Sequence, residues 1–176
     1  MNTRALEFRD QLSRRALVGD GAMGTMLYSR GMFINRCFDE LNLSDPDLVR
    51  QIHREYADAG AEILETNTYG ANRSRLGGFG LAEKLASINE AGVKLAREAS
   101  RGGAFVAGAV GPLGVHIEPL GPPSFAEARA IFREQVEALV AAGIDLLVLE
   151  TFTDLHELRE AVCATREAAG PDPVVI

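Results

Sequence analysis

The chain has 176 residues, of which 47% are hydrophobic and 24% charged, a composition typical of a globular protein with a buried core. Its formal net charge of −7 argues against a basic surface for nucleic acid or an anionic membrane. No apolar run approaches the roughly 20 residues of a membrane span, and Met1–Asp10 lacks the apolar core of a secretory signal. Only two distant cysteines, Cys37 and Cys163, are present. We therefore expect a cytoplasmic protein without disulfides and without nucleic-acid or membrane partners.

Short aliphatic runs alternate with longer amphipathic segments along the chain. Each run ends in polar or glycine residues, which is typical of buried parallel strands. The predicted strands are Ala16–Val18, Ala61–Leu64, Ala104–Val110, Ile144–Leu149 and Pro173–Ile176.

The segments between these runs have the spacing of helices. Asp45 followed by Pro46 predicts a helix start, and Ser124 with Glu127 forms a capping-box pattern. Two further helices are predicted over Leu81–Ala99 and Asp154–Ala169. On the helix that starts at Asp45, His53 is expected at the surface.

The β-α order fits either a (β/α)8 barrel or a doubly wound sheet. A barrel needs roughly 250 residues, so the chain would hold only its first half, from the first strand to the start of the fifth. Such an open half would leave strand edges unpaired and one face of the sheet wet. Self-association of the half barrel is therefore a possible consequence.

Polar residues follow several predicted strands, and in both folds the functional residues lie at the carboxyl ends of the strands. Asp20 lies in a turn of small residues, and is either an ordinary turn aspartate or a carboxylate for a substrate ammonium group. Glu150 ends an otherwise apolar run, and either binds a ligand or forms a structural ion pair. Thr66 and Asn67 either cap the following loop or bind a ligand.

Four ordered motifs resemble the homocysteine-binding domain of the homocysteine S-methyltransferases. The resemblance extends from about Leu17 to Ile176 and is nearest to the bacterial bifunctional homocysteine S-methyltransferase/methylenetetrahydrofolate reductases. The motifs that carry it are Asp20–Thr25, Glu40–Asn42, Thr66–Asn72 and Glu150–Phe152.

The resemblance implies that residues 1–176 are the N-terminal portion of a homocysteine-binding (β/α)8 domain. It implies that Asp20 and Glu150 hold the homocysteine ammonium group. The carboxylate would lie on amides near Gly21 and Ala22 and on the Thr66–Asn67 loop. No catalytic residue and no metal ligand is assigned within the chain.

The resemblance also implies a zinc ion that favours the homocysteine thiolate, which then takes a methyl group to give methionine. In the family, the zinc ligands are cysteines on later strands, so we expect them beyond Ile176. Cys37 and Cys163 do not match those positions. The methyl donor would be a compound such as methyltetrahydrofolate, with FAD only if a reductase domain follows. The chain alone is expected to be inactive.

Two other hypotheses remain open from the sequence. The parent could be another small-molecule (β/α) barrel enzyme that uses Asp20 and Glu150 as acid–base carboxylates. Alternatively, the chain could be an inactive fragment that serves as an interaction module.

Overall fold

The computed structural model describes residues 3–170 and 175–176. Within these residues there are eight α-helices and three β-strands, with four helices before the first strand and at least one helix after each strand. The helices are α1 (Thr3–Arg14), α2 (Met23–Ser29), α3 (Leu41–Ser44), α4 (Pro46–Asp58), α5 (Arg73–Gly77), α6 (Leu85–Ser100), α7 (Phe125–Ala141) and α8 (Leu155–Ala169). The strands are β1 (Ile63–Glu65), β2 (Phe105–Val110) and β3 (Leu146–Leu149), and a 3₁₀ turn, Ala82–Lys84, precedes α6.

The three strands form a parallel sheet in the order β1-β2-β3. Ile63 pairs with Phe105, and Val110 pairs with Leu149. Neighbours in the sheet are therefore neighbours in the sequence. The described part of the sheet shows no reversal of strand order, which is the feature that defines a doubly wound fold.

The outermost predicted strands contribute only single bridges to this sheet. The first run, Ala16–Val18, is not a strand; instead Gly19 forms a parallel bridge to Ile63. At the opposite edge Val175 bridges Leu147, whereas Pro173 and Val174 of the last predicted strand lie outside the described residues. The three central strand predictions are confirmed, with ends shifted by one or two residues.

One face of the sheet packs against helices α6, α7 and α8. Val106, Val110 and Leu147 are buried there against Phe132 and Val136 of α7. This aliphatic packing explains why the strands read as continuous apolar runs.

The opposite face carries Phe105, Leu146 and Val148, all less than 10% exposed. Helix α1, which the sequence patterns did not reveal, covers this face with Phe8, whose ring meets that of Phe105 edge-on at 5.2 Å. The expectation of a wet face is therefore wrong at these positions.

The helix-start patterns are confirmed by the structure. The Asp45 side chain accepts a hydrogen bond from the Leu48 amide, and Ser124 forms a complete capping box with Glu127. His53 corrects an expectation, because it is fully buried on α4 rather than exposed. No helix in the described part of the chain has the length and apolarity to cross a bilayer.

Candidate functional site

A cavity of about 970 Å³ opens beyond the carboxyl ends of the parallel strands. All six residues predicted to bind substrate lie in its wall: Asp20, Gly21, Ala22, Thr66, Asn67 and Glu150. They come from three separate segments, namely the turn after the Gly19 bridge, the end of β1 and the end of β3, so the sheet brings together residues up to 130 positions apart. This position is where α/β proteins bind small molecules.

Asp20 is half-buried and fixed by the backbone of the next strand end. Its Oδ2 accepts a hydrogen bond of 3.0 Å from the Glu65 amide. The pKa of Asp20 is raised to about 7, mainly by burial and also by the charges of Glu65 and Glu150, against the lowering effect of that hydrogen bond. The Asp20 carboxyl is thus held in the cavity wall by the backbone of β1.

Glu65 is a third carboxylate in the same wall, and the sequence analysis missed it. It ends β1 directly before the Thr66–Asn72 motif. Its pKa is raised to about 7, mainly by burial and also by the charge of the Glu150 carboxyl and a hydrogen bond with it. Glu65 could have been identified from the sequence, because it is the first charged residue after the Ile63–Leu64 run.

Glu150 follows β3, and its amide donates to the Val110 carbonyl oxygen at 3.1 Å. No described lysine or arginine forms an ion pair with it, so the alternative of a structural ion pair has no support. The next residue, Thr151, has φ = 61°, which is unusual for a β-branched residue. The chain thus turns sharply at the cavity wall, where such strain is often stored.

The Gly21 and Ala22 amides are available to a ligand. Neither N–H donates to any residue in the described part of the chain. A Cβ at Gly21 would come within 2.9 Å of the Tyr56 hydroxyl oxygen, and that hydroxyl donates to the Ala22 carbonyl at 3.3 Å. Tyr56 therefore holds this turn in place and requires glycine there.

Thr66 and Asn67 are largely engaged in holding the scaffold. The Thr66 hydroxyl accepts from the Ala109 amide, and the Asn67 side-chain nitrogen donates to the Phe38 carbonyl and to Asn42. Both side chains are buried. The structural alternative for their side chains is thus satisfied, and the Thr66 amide also donates within the protein, to the Ala107 carbonyl oxygen at 2.8 Å.

The cysteines do not form a metal site. The Cys37 thiol lies 3.8 Å from Asp39, and burial, with the Asp39 charge, raises its pKa to about 11. Cys163 lies on α8 and does not line the cavity. Among the described residues, no group of three histidine, cysteine, aspartate or glutamate side chains could hold a metal ion. The residues present therefore do not fit the zinc that the resemblance implies.

The fold and this cavity define an α/β protein built to bind a small polar molecule at the carboxyl ends of its strands. The chain belongs to the homocysteine S-methyltransferase family, whose sequence model matches residues 17–176.

Curated relatives of this chain are methyltransferases. It is 36% identical over 171 residues to methionine synthase of Mycobacterium tuberculosis, covering 90% of this chain and 14% of that protein. It is 33% identical over 161 residues to betaine–homocysteine S-methyltransferase 1 of Xenopus tropicalis, covering 88% of this chain and 39% of that protein. The chain thus spans well under half the length of these relatives.

Solved structures of the homocysteine methyltransferase MmuM from Escherichia coli have the same fold. The oxidized form superimposes with a TM-score of 0.82 at 30% identity, covering 99% of this chain and 64% of that one. The metallated form gives 0.79 at 30% identity, covering 92% and 62%.

Proposed function

We propose that the protein carrying this chain is a homocysteine S-methyltransferase that forms methionine. The observation that supports this most directly is the cavity wall of Asp20, Glu65 and Glu150 in a member of this family. Three carboxylates and two free amides suit a ligand that carries both an ammonium and a carboxylate group.

We further propose that the chain is the N-terminal portion of a (β/α)8 barrel. The sequential parallel order of the strands supports this, as do the bridges at Gly19 and Val175, which extend the sheet at both edges. The 64% coverage of the Escherichia coli enzyme agrees with a chain that supplies somewhat more than half of such a domain.

In this proposal the substrate is oriented by its two charged ends. The homocysteine ammonium group lies among Asp20, Glu65 and Glu150, and its positive charge favours their ionised forms. The carboxylate accepts hydrogen bonds from the Gly21 and Ala22 amides. The side chain then extends into the cavity with its sulfur free to react.

In the reaction, a new bond forms between the homocysteine sulfur and the methyl carbon as the bond from that carbon to the donor breaks. The thiol proton leaves to solvent, and the donor keeps the electron pair of the broken bond. The described residues of this chain do not fit the zinc that would activate the thiol, so its ligands are expected elsewhere in the protein. The contribution of this chain is binding and orientation.

The acid–base alternative uses the same carboxylates, since pKa values near 7 suit proton transfer. Membership of a methyltransferase family favours the methyl-transfer hypothesis instead.

The test is methionine formation by the intact protein from homocysteine and each of four methyl donors: methyltetrahydrofolate, methylcobalamin, betaine and S-methylmethionine. We expect methionine with at least one donor, and no S-methylcysteine when homocysteine is replaced by cysteine. Failure with all four donors would overturn the proposed function.

A further inference from the structure

The cavity wall is divided by charge. The carboxylates of Asp20, Glu65 and Glu150 lie on the side of the sheet. Arg36 and Arg75 line the other wall, which is formed by α5 and by the loop between α2 and α3 (residues 30–40, called here the first loop). Arg36 is half-exposed and lies 3.8 Å from Glu40. Arg75 differs, because its side chain is held without an anionic partner.

Three contacts fix the Arg75 guanidinium group. Its Nε donates to the Pro112 carbonyl oxygen at 2.8 Å, and its central carbon lies 5.2 Å from the centre of the Tyr69 ring. Gly114, at φ = 79°, leaves room for it, since a Cβ there would lie 3.1 Å from the Arg75 Nε. The group is therefore pre-ordered, which lowers the entropic cost of binding a ligand.

The remaining donors of Arg75 are free. Among the described residues, none accepts a hydrogen bond from its terminal nitrogens, and no carboxylate lies within 4.0 Å. By contrast Arg73, two positions earlier, pairs with Glu134 at 2.5 Å and Glu83 at 3.1 Å. A planar guanidinium with two free terminal nitrogens is suited to a carboxylate or phosphate.

We propose that Arg75 binds an anionic group, a carboxylate or a phosphate, of the methyl donor. This rests on the proposed function, and it names the chemical class of the second substrate. Homocysteine has one carboxylate, for which the Gly21 and Ala22 amides are placed beside the ammonium site. The cavity of about 970 Å³ is large for a single amino acid and lies at the upper end of the range for whole drug-sized ligands.

The charge environment separates Arg75 from the ammonium site. The pKa of Glu65 responds to burial and to Glu150, and Arg75 has no part in it. The Arg75 charge instead lowers the pKa of Asp39 and Glu157, against the stronger effect of burial on both.

The experiment compares Arg75→Gln, Arg75→Lys and the control Arg73→Gln in the intact protein. Methyltetrahydrofolate supplies the carboxylates of its glutamate tail, methylcobalamin a phosphate, and S-methylmethionine a single amino-acid carboxylate beside its sulfonium centre. We expect Arg75→Gln to raise the KM and the Kd of the anionic donor roughly 10- to 100-fold. The homocysteine KM should stay within about twofold, Arg75→Lys should recover part of the loss, and Arg73→Gln should match wild type.

An unchanged donor KM in Arg75→Gln would overturn the inference. A rise confined to the homocysteine KM would assign Arg75 to the amino acid instead, and would also overturn it. If no donor yields methionine, the proposed function fails, and the calorimetric Kd of the two anionic donors still decides whether Arg75 binds them.

Discussion

Asp20 and Glu65 lie at neighbouring strand ends, and burial raises the pKa of each to about 7. Because these folded-state values exceed those of an unfolded chain, the folded protein holds extra protons between about pH 4 and 7. The contribution of this pair to stability therefore decreases as the pH rises through that range. A bound ammonium group reverses this cost by pairing with the ionised carboxylates.

Removing one carboxylate should weaken substrate binding more than folding. We expect Asp20→Asn and Glu150→Gln each to raise the homocysteine KM of the intact protein, with a loss of about 2–5 kcal/mol in binding. Steady-state kinetics with homocysteine as the varied substrate measure this. The control is Glu137→Gln, an exposed glutamate on α7. Unchanged homocysteine KM values in both cavity variants would show that the assignment is wrong.

His53 shows the opposite pH behaviour. It is fully buried, neither ring nitrogen has a hydrogen-bond partner among the described residues, and burial lowers its pKa to about 4. Because this folded-state value is below the unfolded value of 6.5, the folded state resists protonation. Stability is therefore lost as the pH falls from 6.5 through 4.

Replacing His53 by leucine should remove this acid sensitivity. We expect His53→Leu to keep or increase stability at pH 7, since an unpaired polar group is replaced by an apolar one. Between pH 6.5 and 4 it should gain on the order of 3 kcal/mol relative to wild type. Urea unfolding across this range measures the difference, with exposed His156→Gln as the control. Parallel pH profiles for wild type and His53→Leu would contradict the account.

At the scale of elements, the first loop and the short helix α3 that follows it hold in place the segment that comes after β1. The Asn42 side chain donates to the Asn67 carbonyl at 2.8 Å and to the Ile88 carbonyl of α6 at 3.1 Å. Asp39 accepts from the Gly70 amide at 2.8 Å. These bonds join the first loop, α6 and the 66–70 segment into one unit behind the cavity.

Gly92 of α6 is the point of closest approach in this unit. A Cβ there would lie 2.7 Å from Thr68 Cγ2 and 2.8 Å from Asn42 Nδ2. Alanine at a helix-interior glycine normally stabilises by up to about 1 kcal/mol. We expect Gly92→Ala instead to destabilise by about 1–3 kcal/mol, because the clash forces buried groups apart.

Urea unfolding of Gly92→Ala tests this against Gly77→Ala, where a Cβ meets no atom within 4 Å. The Gly77 variant should equal or exceed wild-type stability. Equal or greater stability in Gly92→Ala would mean that the packing behind the cavity is looser than the structure shows.

The sequence predicted those elements whose signals are local. Asp45 and Ser124 cap their helices as expected, because capping depends on residues three positions apart. Helix α1 was missed, since Phe8 is buried only by its contact with Phe105 across the sheet. His53 was misplaced for the same reason, because its burial depends on packing from elsewhere in the fold.

The same distinction between local and long-range signals applies to the residues of the cavity. The six predicted residues converge because parallel strands end at one edge of the sheet. Glu65 and Arg75 were missed because their roles depend on partners that the sequence does not place: Glu150 for Glu65, and Tyr69 with Pro112 for Arg75.

At the scale of the whole molecule, we propose an amino-acid site, and the described residues add no metal site to it. These described residues offer no metal-binding group, although one structural relative is described as metallated. Self-association through the sheet edges stays a prediction. Helix α1 lowers the apolar area that such an edge exposes, because Phe8 covers one face of the sheet.

The 176-residue chain alone should neither bind Zn²⁺ tightly nor form methionine. A catalytic zinc site needs three protein ligands that converge, and Cys37 and Cys163 lie on separate elements. Titration calorimetry with Zn²⁺ and a methionine assay measure both properties. Stoichiometric tight zinc binding, or turnover by the chain alone, would contradict the proposed division of the domain.

The central claim is that the cavity recognises homocysteine through its ammonium group. Titration calorimetry of the intact protein should therefore compare homocysteine with 4-sulfanylbutanoate, which keeps the thiol and the carboxylate but has no amino group. We predict that the analogue binds at least about 30-fold more weakly, because Asp20, Glu65 and Glu150 lose the charge that they pair with. Equal affinity for the two compounds would show that these carboxylates do not form an amino-acid site.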